Sequence, residues 1–428
     1  MARKATTRRA FLHTAAAALA APTVLPSRAF GANDRVTLGA VGVGGRGTGV
    51  MRGFLRRAQV LAVCDVKRTR REAAKSLVER AYSQEMAKGT YKGCAATTDY
   101  RELVAREDID AVSIATPDHW HALVGIAAAQ AGKDVYCEKP LTLNVAEGRA
   151  YARAITRYGR VFQHGTQQRS SGNFRHACEL VRNHRIGKLH TIRVGSPRSG
   201  TCPPQPPMPV PQGFDYDRWL GPAPWAPYTA KRCVTPWWYF IADYTMGFIS
   251  GWGVHHVDIA QWGNGTDHTG PVTLEGSGDF PDDGLCDTAT AWRVVCTYAN
   301  GVRMVYADNR KEKQGVRFEG DEGWVYVRRG HIDAQPKSLL KETVGPNETR
   351  LHRSRGGHAQ DFINGVRSRG ATACPIETAH RSNSICQLAD IAIRLRRKLR
   401  WNPQTEQFVD DEEANRMLAK AMRAPWHL

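Results

Sequence analysis

The chain has 428 residues, 42% hydrophobic and 24% charged; that composition excludes a disordered or collagen-like protein, and the length suits two domains. No stretch approaches the roughly 18 consecutive apolar residues of a membrane span, which argues against stable membrane insertion. The formal charge of +19 is compatible with an acidic polysaccharide, an anionic surface or simply a solvated exterior, and without an arginine patch interleaved with aromatics no nucleic-acid role is read from it.

The chain begins as a processing segment. Thr7-Arg8-Arg9-Ala10-Phe11-Leu12-His13 precedes the small apolar run Ala15 to Ala21 and then Pro22 and Pro26, the order of a basic n-region, an h-region and a cleavage zone. The arginine pair with Phe11 and Leu12 marks a twin-arginine signal. Residues 1–32 are therefore expected to be a signal peptide, cleaved near Ala29, and the protein to reach the periplasm already folded. The segment before Phe30 carries five basic residues and no acid, so the remainder holds +14. The ten cysteines include no Cys-x-x-Cys pair, and Cys64 and Cys137 sit in apolar runs; buried free thiols and no metal site are expected.

Residues 33–165 read as a dinucleotide-binding Rossmann domain. Arg35 to Val43 is strand-like and ends in Gly42-Val43-Gly44-Gly45-Arg46-Gly47 before a helix-compatible stretch. Missing side chains let the chain turn tightly and let a pyrophosphate approach the unpaired amides of a helix N-terminus. The next apolar strand, Val60 to Cys64, ends in Asp65, where a carboxylate can accept from a ribose 2′-hydroxyl. Asp65 favours NAD, while Lys67, Arg68, Arg70 and Arg71 keep NADP open. Strands at Asp110 to Ala115, Asp134 to Cys137 and Val161 to Gln163 alternate with helices at His119 to Ala131 and Asn144 to Arg157, which specifies a doubly wound parallel sheet.

Two of those strands end in Thr116-Pro117-Asp118-His119-Trp120-His121 and Glu138-Lys139-Pro140, on the sheet edge where such folds bind ligands. With Gly42-x-Gly44-x-x-Gly47, Ala115-Thr116-Pro117, His121 and Trp252-Gly253-Val254-His255-His256-Val257-Asp258, these motifs resemble the Gfo/Idh/MocA family (glucose-fructose oxidoreductase, inositol dehydrogenase and MocA) over nearly the whole mature chain. Arg218-Trp219-Leu220-Gly221-Pro222 and the tail Gly357-His358 through Ala424-Pro425-Trp426 resemble a branch of exported bacterial members.

The resemblance implies a nicotinamide oxidoreductase acting on a sugar or polyol. Gly42, Gly44, Gly45, Arg46, Gly47, Asp65, Thr116, Pro117, His121, Glu138 and Lys139 would hold the cofactor, and Lys139 and His255 would catalyse. Gln167, Arg169, Tyr244, His255 and His256 would face the substrate. A desolvated Lys139 would have a lowered pKa and could shuttle a proton. The family's aspartate four residues before the histidine is replaced here by Gly251, for which Asp243 or Tyr244 is the candidate substitute. An exported member must also carry a tightly bound cofactor, since no free nicotinamide pool is dependable outside the cytoplasm. Alternatives are an oxidoreductive glycosidase, in which oxidation, elimination, hydration and re-reduction leave the cofactor unchanged, and a sugar-binding protein without turnover. A homodimer or homotetramer is expected.

Residues 166–385 are expected to form a substrate-binding and oligomerisation α+β domain with a mostly antiparallel open sheet, from strand-like runs at Thr290 to Tyr298, Val302 to Tyr306 and Gly323 to Val327. An amphipathic helix is expected over Gly253 to Trp262. Six of the 11 tryptophans lie between Trp219 and Trp262, which tilts the reading toward carbohydrate. Pro203 to Pro211 reads as an extended loop. Residues 386–428 are expected to pack back as a helix and tail, with Ile391, Ala392, Leu395 and Leu399 on one helical face and Arg394 to Arg400 on the other.

Overall fold

The computed structural model describes residues 35–428; the expected signal segment lies outside them. Six parallel strands form the first sheet: β1 (Thr37–Val41), β2 (Gln59–Cys64), β3 (Ala95–Thr97), β4 (Ala111–Ile114), β5 (Asp134–Cys137) and β6 (Phe162–His164). Their order is β3-β2-β1-β4-β5-β6, with every pairing parallel. Strand order reverses between β1 and β4, which opens a crevice at their carboxyl ends. All four residues of β4 and of β5 are buried, as expected for strands covered on both faces by helices. The helices are α1 (Gly45–Phe54), α2 (Arg68–Ala81), α3 (His121–Gln130) and α4 (Val145–Arg157). Asn144 caps α4 by accepting from the Glu147 amide at 3.0 Å, satisfying one amide that a helix start otherwise leaves unpaired.

The second sheet has nine strands in the order β13-β12-β11-β7-β10-β9-β8-β14-β15. They are β7 (Leu189–Ser196), β8 (Thr273–Asp279), β9 (Ala291–Thr297), β10 (Arg303–Asp308), β11 (Gly315–Gly320), β12 (Trp324–Arg328), β13 (His331–Gln335), β14 (Leu399–Asn402) and β15 (Gln407–Phe408). The β7–β10 pair is parallel and the others are antiparallel. Helices α5 (Gly172–Arg182), α6 (Val254–Asn264) and α8 (Ile376–Leu395) share one core with this sheet, while α7 (His358–Ser368) packs against α1. The fold is α/β: a Rossmann sheet followed by a mixed, mostly antiparallel sheet.

Three local expectations are corrected. Helix α6 is not amphipathic: Val254 through Gly263 are all buried, because α5, α8 and β7 pack around it. Helix α8 begins at Ile376, so it runs through the 385/386 boundary. It stops at Arg396, whose φ of 52° turns the chain into β14. Leu399 therefore sits in a strand, and the basic run Arg394 to Arg400 is split between helix end, turn and strand. All ten cysteines are free and buried, as their spacing predicts. No helix among the described residues is long and apolar enough to cross a membrane.

Candidate active site

A groove of about 280 Å³ runs along the crevice between β1 and β4. Its floor is the turn from β1 into α1. Gly42 has φ +78°, and a Cβ there would lie 2.7 Å from the Ala115 backbone; a Cβ on Gly47 would lie 1.7 Å from the Gly42 carbonyl oxygen. Only glycine permits this close packing. Gly45 has open space around its Cα, and the first turn of α1 contains no acidic side chain, so its amides face a cavity suited to an anion. Asp65 accepts from the Val43 amide (3.0 Å) and the Lys67 amide (2.9 Å). That ties the turn to the end of β2 and leaves each carboxylate oxygen a further lone pair for a ribose hydroxyl. The residues present fit a dinucleotide.

Of the four basic residues after Asp65, Arg70 alone lines the groove. Lys67 lies 4.3 Å from the centre of the Phe214 ring, Arg68 packs on Gly213, and Arg71 donates to the Asp65 carbonyl and the Thr98 hydroxyl. Thr116 and Pro117 line the groove as expected. His121 does not: its ring spans the Thr116 and Pro140 carbonyls at 2.9 and 2.7 Å. It ties together the backbone that follows β4 and β5.

Glu138 and Lys139 stand where β5 ends. Glu138 Oε1 accepts from Arg46 (2.6 Å), Gln167 (2.9 Å) and the Tyr136 hydroxyl (3.2 Å). Burial acts to raise its pKa, yet the Arg46 guanidinium holds it below the ordinary value, so it is a carboxylate. Lys139 Nζ donates to the Gly251 carbonyl at 2.5 Å and lies 5.6 Å from the Tyr239 ring centre. Burial lowers its pKa, against the opposing pull of Glu138 and Asp118. The loop after it is pinned to α8: Asn383 accepts from the Leu141 amide and donates to the Thr142 carbonyl, where Gln387 donates as well. A rigid support of this kind fixes the amine in the groove wall.

Asp118 lies in the motif that follows β4, and nothing in the local sequence predicts a role for it. It lines the groove and is 1% exposed, and its Oδ2 has no hydrogen-bond partner. Burial pushes its pKa up to about 7, opposed by Thr245 and Lys139. Its unusual acidity depends on the distant segment that buries it, which no local pattern announces. Neither candidate substitute for the carboxylate missing at Gly251 is among the groups that contact or perturb Lys139 in the described residues. Asp243 is influenced by Lys420, Asp287 and Arg232. Tyr244 is fully buried under Trp219 and His119, its hydroxyl accepting from Arg232 at 3.1 Å.

Of the other substrate-facing candidates, Gln167 reaches Glu138 at the cleft. Arg169 does not: 3% exposed, it pairs with Asp258 at 2.7 Å and Asp267 at 2.6 Å, and Asp258 also accepts from Ser382. It is a structural tie between the start of α5 and helices α6 and α8. His255, at the start of α6, is buried with Nδ1 unpartnered. Burial, then the charges of Lys139 and Arg329, hold its pKa well below the ordinary value, so the ring is neutral. His256 contacts the Gly195 carbonyl at 2.7 Å and borders a second cavity rather than the groove. The chain's last turn reaches the groove too: Trp426 lines it and packs edge-on against Trp120. Among the described residues no cluster of His, Cys, Asp or Glu could hold a metal.

The sheet order and the glycine turn define a dinucleotide-binding Rossmann domain, with a lysine in the wall of its groove. Residues 36–166 match the family model described as "Oxidoreductase family, NAD-binding Rossmann fold", and residues 201–428 match "Oxidoreductase family, C-terminal alpha/beta domain". The chain belongs to the Gfo/Idh/MocA family. It is 27% identical to the uncharacterized oxidoreductase YrbE of Bacillus subtilis over 51% of this chain and 54% of that protein. It is 34% identical to a glycosyl hydrolase family 109 protein of Shewanella putrefaciens over 27% of this chain and 24% of that one. The chain thus spans about a quarter to a half of these curated relatives. A solved levoglucosan dehydrogenase in complex with NADH and levoglucosan shares the fold, with a TM-score of 0.61 and 16% identity over 86% of this chain and 99% of that one.

Proposed function

We propose that the protein is an exported oxidoreductase that uses a tightly held NAD to act on the CH–OH or keto carbon of a sugar, polyol or glycoside. The carrying observation is the half-buried Lys139 amine, fixed on the Gly251 carbonyl in the wall of the nucleotide groove. Bound nicotinamide would supply the hydride acceptor. Lys139, with its pKa lowered by burial, would hold the reacting hydroxyl and take its proton. Asp118 offers the carboxyl that Gly251 cannot, and His255 is a neutral ring beside them. Support for NAD over NADP in this reading comes from the buried Asp65, which would repel a 2′-phosphate, and from Arg70 being the one member of the basic set that lines the groove.

Denaturing the purified mature protein and weighing what it releases tests the cofactor, with near-stoichiometric NAD expected. Lys139→Ala should keep the nucleotide yet abolish hydrogen exchange at the sugar carbon. Unchanged exchange would remove Lys139 from the mechanism, and a protein that neither releases nor binds nucleotide would overturn the reading. The matches to glycosyl hydrolase family 109 proteins favour one second reading, an oxidoreductive glycosidase. Its mark is cleavage of a glycoside with no net change in nicotinamide absorbance.

A further inference from the structure

A second cavity, of about 260 Å³, adjoins the start of α6. Its walls carry three cations, Lys313, Arg328 and Arg329, and two large rings, Trp252 and Tyr326. The acids nearest in sequence are committed elsewhere: Glu312 and Glu319 pair with Arg193, Glu319 also with Arg317, and Asp333 with Lys337. Among the described residues no carboxylate forms an ion pair with any of the three. All three are exposed, and together they give the concavity a positive potential that attracts an anion.

The rings and cations are ordered together. Lys313 Nζ sits 4.5 Å from the Tyr326 ring centre, and the Arg329 guanidinium 4.9 Å from that of Trp252, distances at which the ring quadrupole holds a cation. Arg329 also joins this cavity to the reacting end of the groove. Gln168, in the amide orientation that satisfies both ends, donates to the His255 carbonyl at 2.8 Å and accepts from Arg329 Nε at 3.2 Å. Arg329 is close enough for its charge to act on Lys139 and His255. The cavity is distinct from the cofactor's phosphate cradle, which is the turn at Gly44 to Gly47.

We propose that this cavity seats the anionic group of the substrate, a sugar bearing a carboxylate, sulfate or phosphate whose charge lies on Lys313 and Arg328 while its apolar face packs on Trp252. The inference rests on the oxidoreductase reading and names its substrate class. Arg329 stands at the junction, between the anionic group and the carbon presented to Lys139. Guanidinium and ammonium groups recognise all three anions, and sugar C–H faces stack on rings.

The test is calorimetric titration of the nucleotide-loaded protein, at constant ionic strength, with D-glucuronate, glucose 6-sulfate, glucose 6-phosphate and D-glucose. At least one anionic probe should bind tenfold or more tighter than glucose, and the strongest identifies the anion. The double variant Lys313→Gln, Arg328→Gln alters two exposed side chains; it should lose that preference at least tenfold while releasing as much nucleotide as the parent. Equal affinity for all four sugars, no binding of any anionic probe, or a preference that survives in the double variant overturns the proposal. So does a change in oligomeric mass of the double variant with sugar preference unaltered, which would make the cations a contact between copies. Nucleotide content is read separately: an anion preference in a protein that never binds nucleotide supports the seat and sinks the oxidoreductase reading instead.

Discussion

Asp118 carries the most consequential single-residue chemistry outside Lys139. A carboxyl group with a pKa near 7 changes charge in the range where a proton must be taken from an alcohol. In Asp118→Asn that titration is gone while shape is nearly kept. The variant should retain nucleotide, turn over about 10²-fold more slowly, the low end for loss of a general acid or base, and lack the rise in rate between pH 6 and 8. A pH–rate profile identical to the parent's would assign that rise to another group. Lys139 was legible in the sequence because its motif closes an apolar strand, a local signal. Arg169 was misread for the converse reason: its partners Asp258 and Asp267 lie 89 and 98 residues away, and a sequence-adjacent Gln167 that does face the cleft drew it into the same reading. Asp118 went unassigned because desolvation by remote loops, not its own neighbours, sets its pKa.

At the scale of elements, the glycine turn separates a requirement of the fold from a requirement of the ligand. Gly47→Ala forces a Cβ to within 1.7 Å of the Gly42 carbonyl oxygen, so the turn between β1 and α1 must shift; a loss of stability of about 1–3 kcal/mol is expected. Gly44 differs. Its φ of −66° suits any residue, and the nearest atom to an added Cβ is the flexible end of Arg70, at 3.1 Å. Gly44→Ala should therefore melt within a few degrees of the parent yet bind NAD at least tenfold more weakly, because the methyl occupies the space a pyrophosphate needs. Paired melting curves and nucleotide titrations distinguish the two; equal affinity in Gly44→Ala would place the pyrophosphate elsewhere. The five Rossmann strands read from the sequence agree with the observed ones to within about two residues because each is a short apolar run between turns; β3 (Ala95–Thr97), short and only partly buried, and α2 carried no such signal and were not read. The end of α8 was not. The apolar spacing of Leu395 and Leu399 continues a helical pattern that the chain breaks at Arg396, and the break is decided by the pairing of β14 with β8, a contact more than a hundred residues apart.

Across the molecule, the contacts between the first sheet and the elements that follow it rest on buried neutral histidines. His119 meets the Trp219 carbonyl, and His358 lies between the His164 carbonyl and the Ser170 hydroxyl. Burial lowers the pKa of His119, His256 and His358 to about 4 and that of His164 to about 3. Between roughly pH 4 and 6.5 the unfolded chain binds protons at these four rings that the native state refuses, so stability rises with pH. Asp118 and Glu147 work in the opposite sense. Burial pushes both up to about 7, so the native state holds two protons that unfolded carboxyls have already lost, and stability falls as pH rises from about 4 to 7. His121, His255 and His380 are held low by burial in the same way, and Asp65, Asp134 and Asp243 are pushed up in the opposite sense; the buried histidines are the larger set, so stability rises with pH across the acid range. Above pH 6.5 the histidine contribution is complete and the raised carboxyls pull stability down until they ionise, opposed by Lys139 and Lys67, whose lowered pKa values add stability as pH rises. Urea unfolding from pH 4.5 to 8.5 should therefore give maximal stability near pH 6.5. The Asp118→Asn, Glu147→Gln double variant should remove the decline these carboxyls cause on the alkaline side and make the acid limb steeper, because their opposing slope between about pH 4 and 7 is gone. A parent protein whose stability falls steadily from pH 4.5 upward would mean that the carboxyls, not the histidines, dominate the junction on which the groove is built.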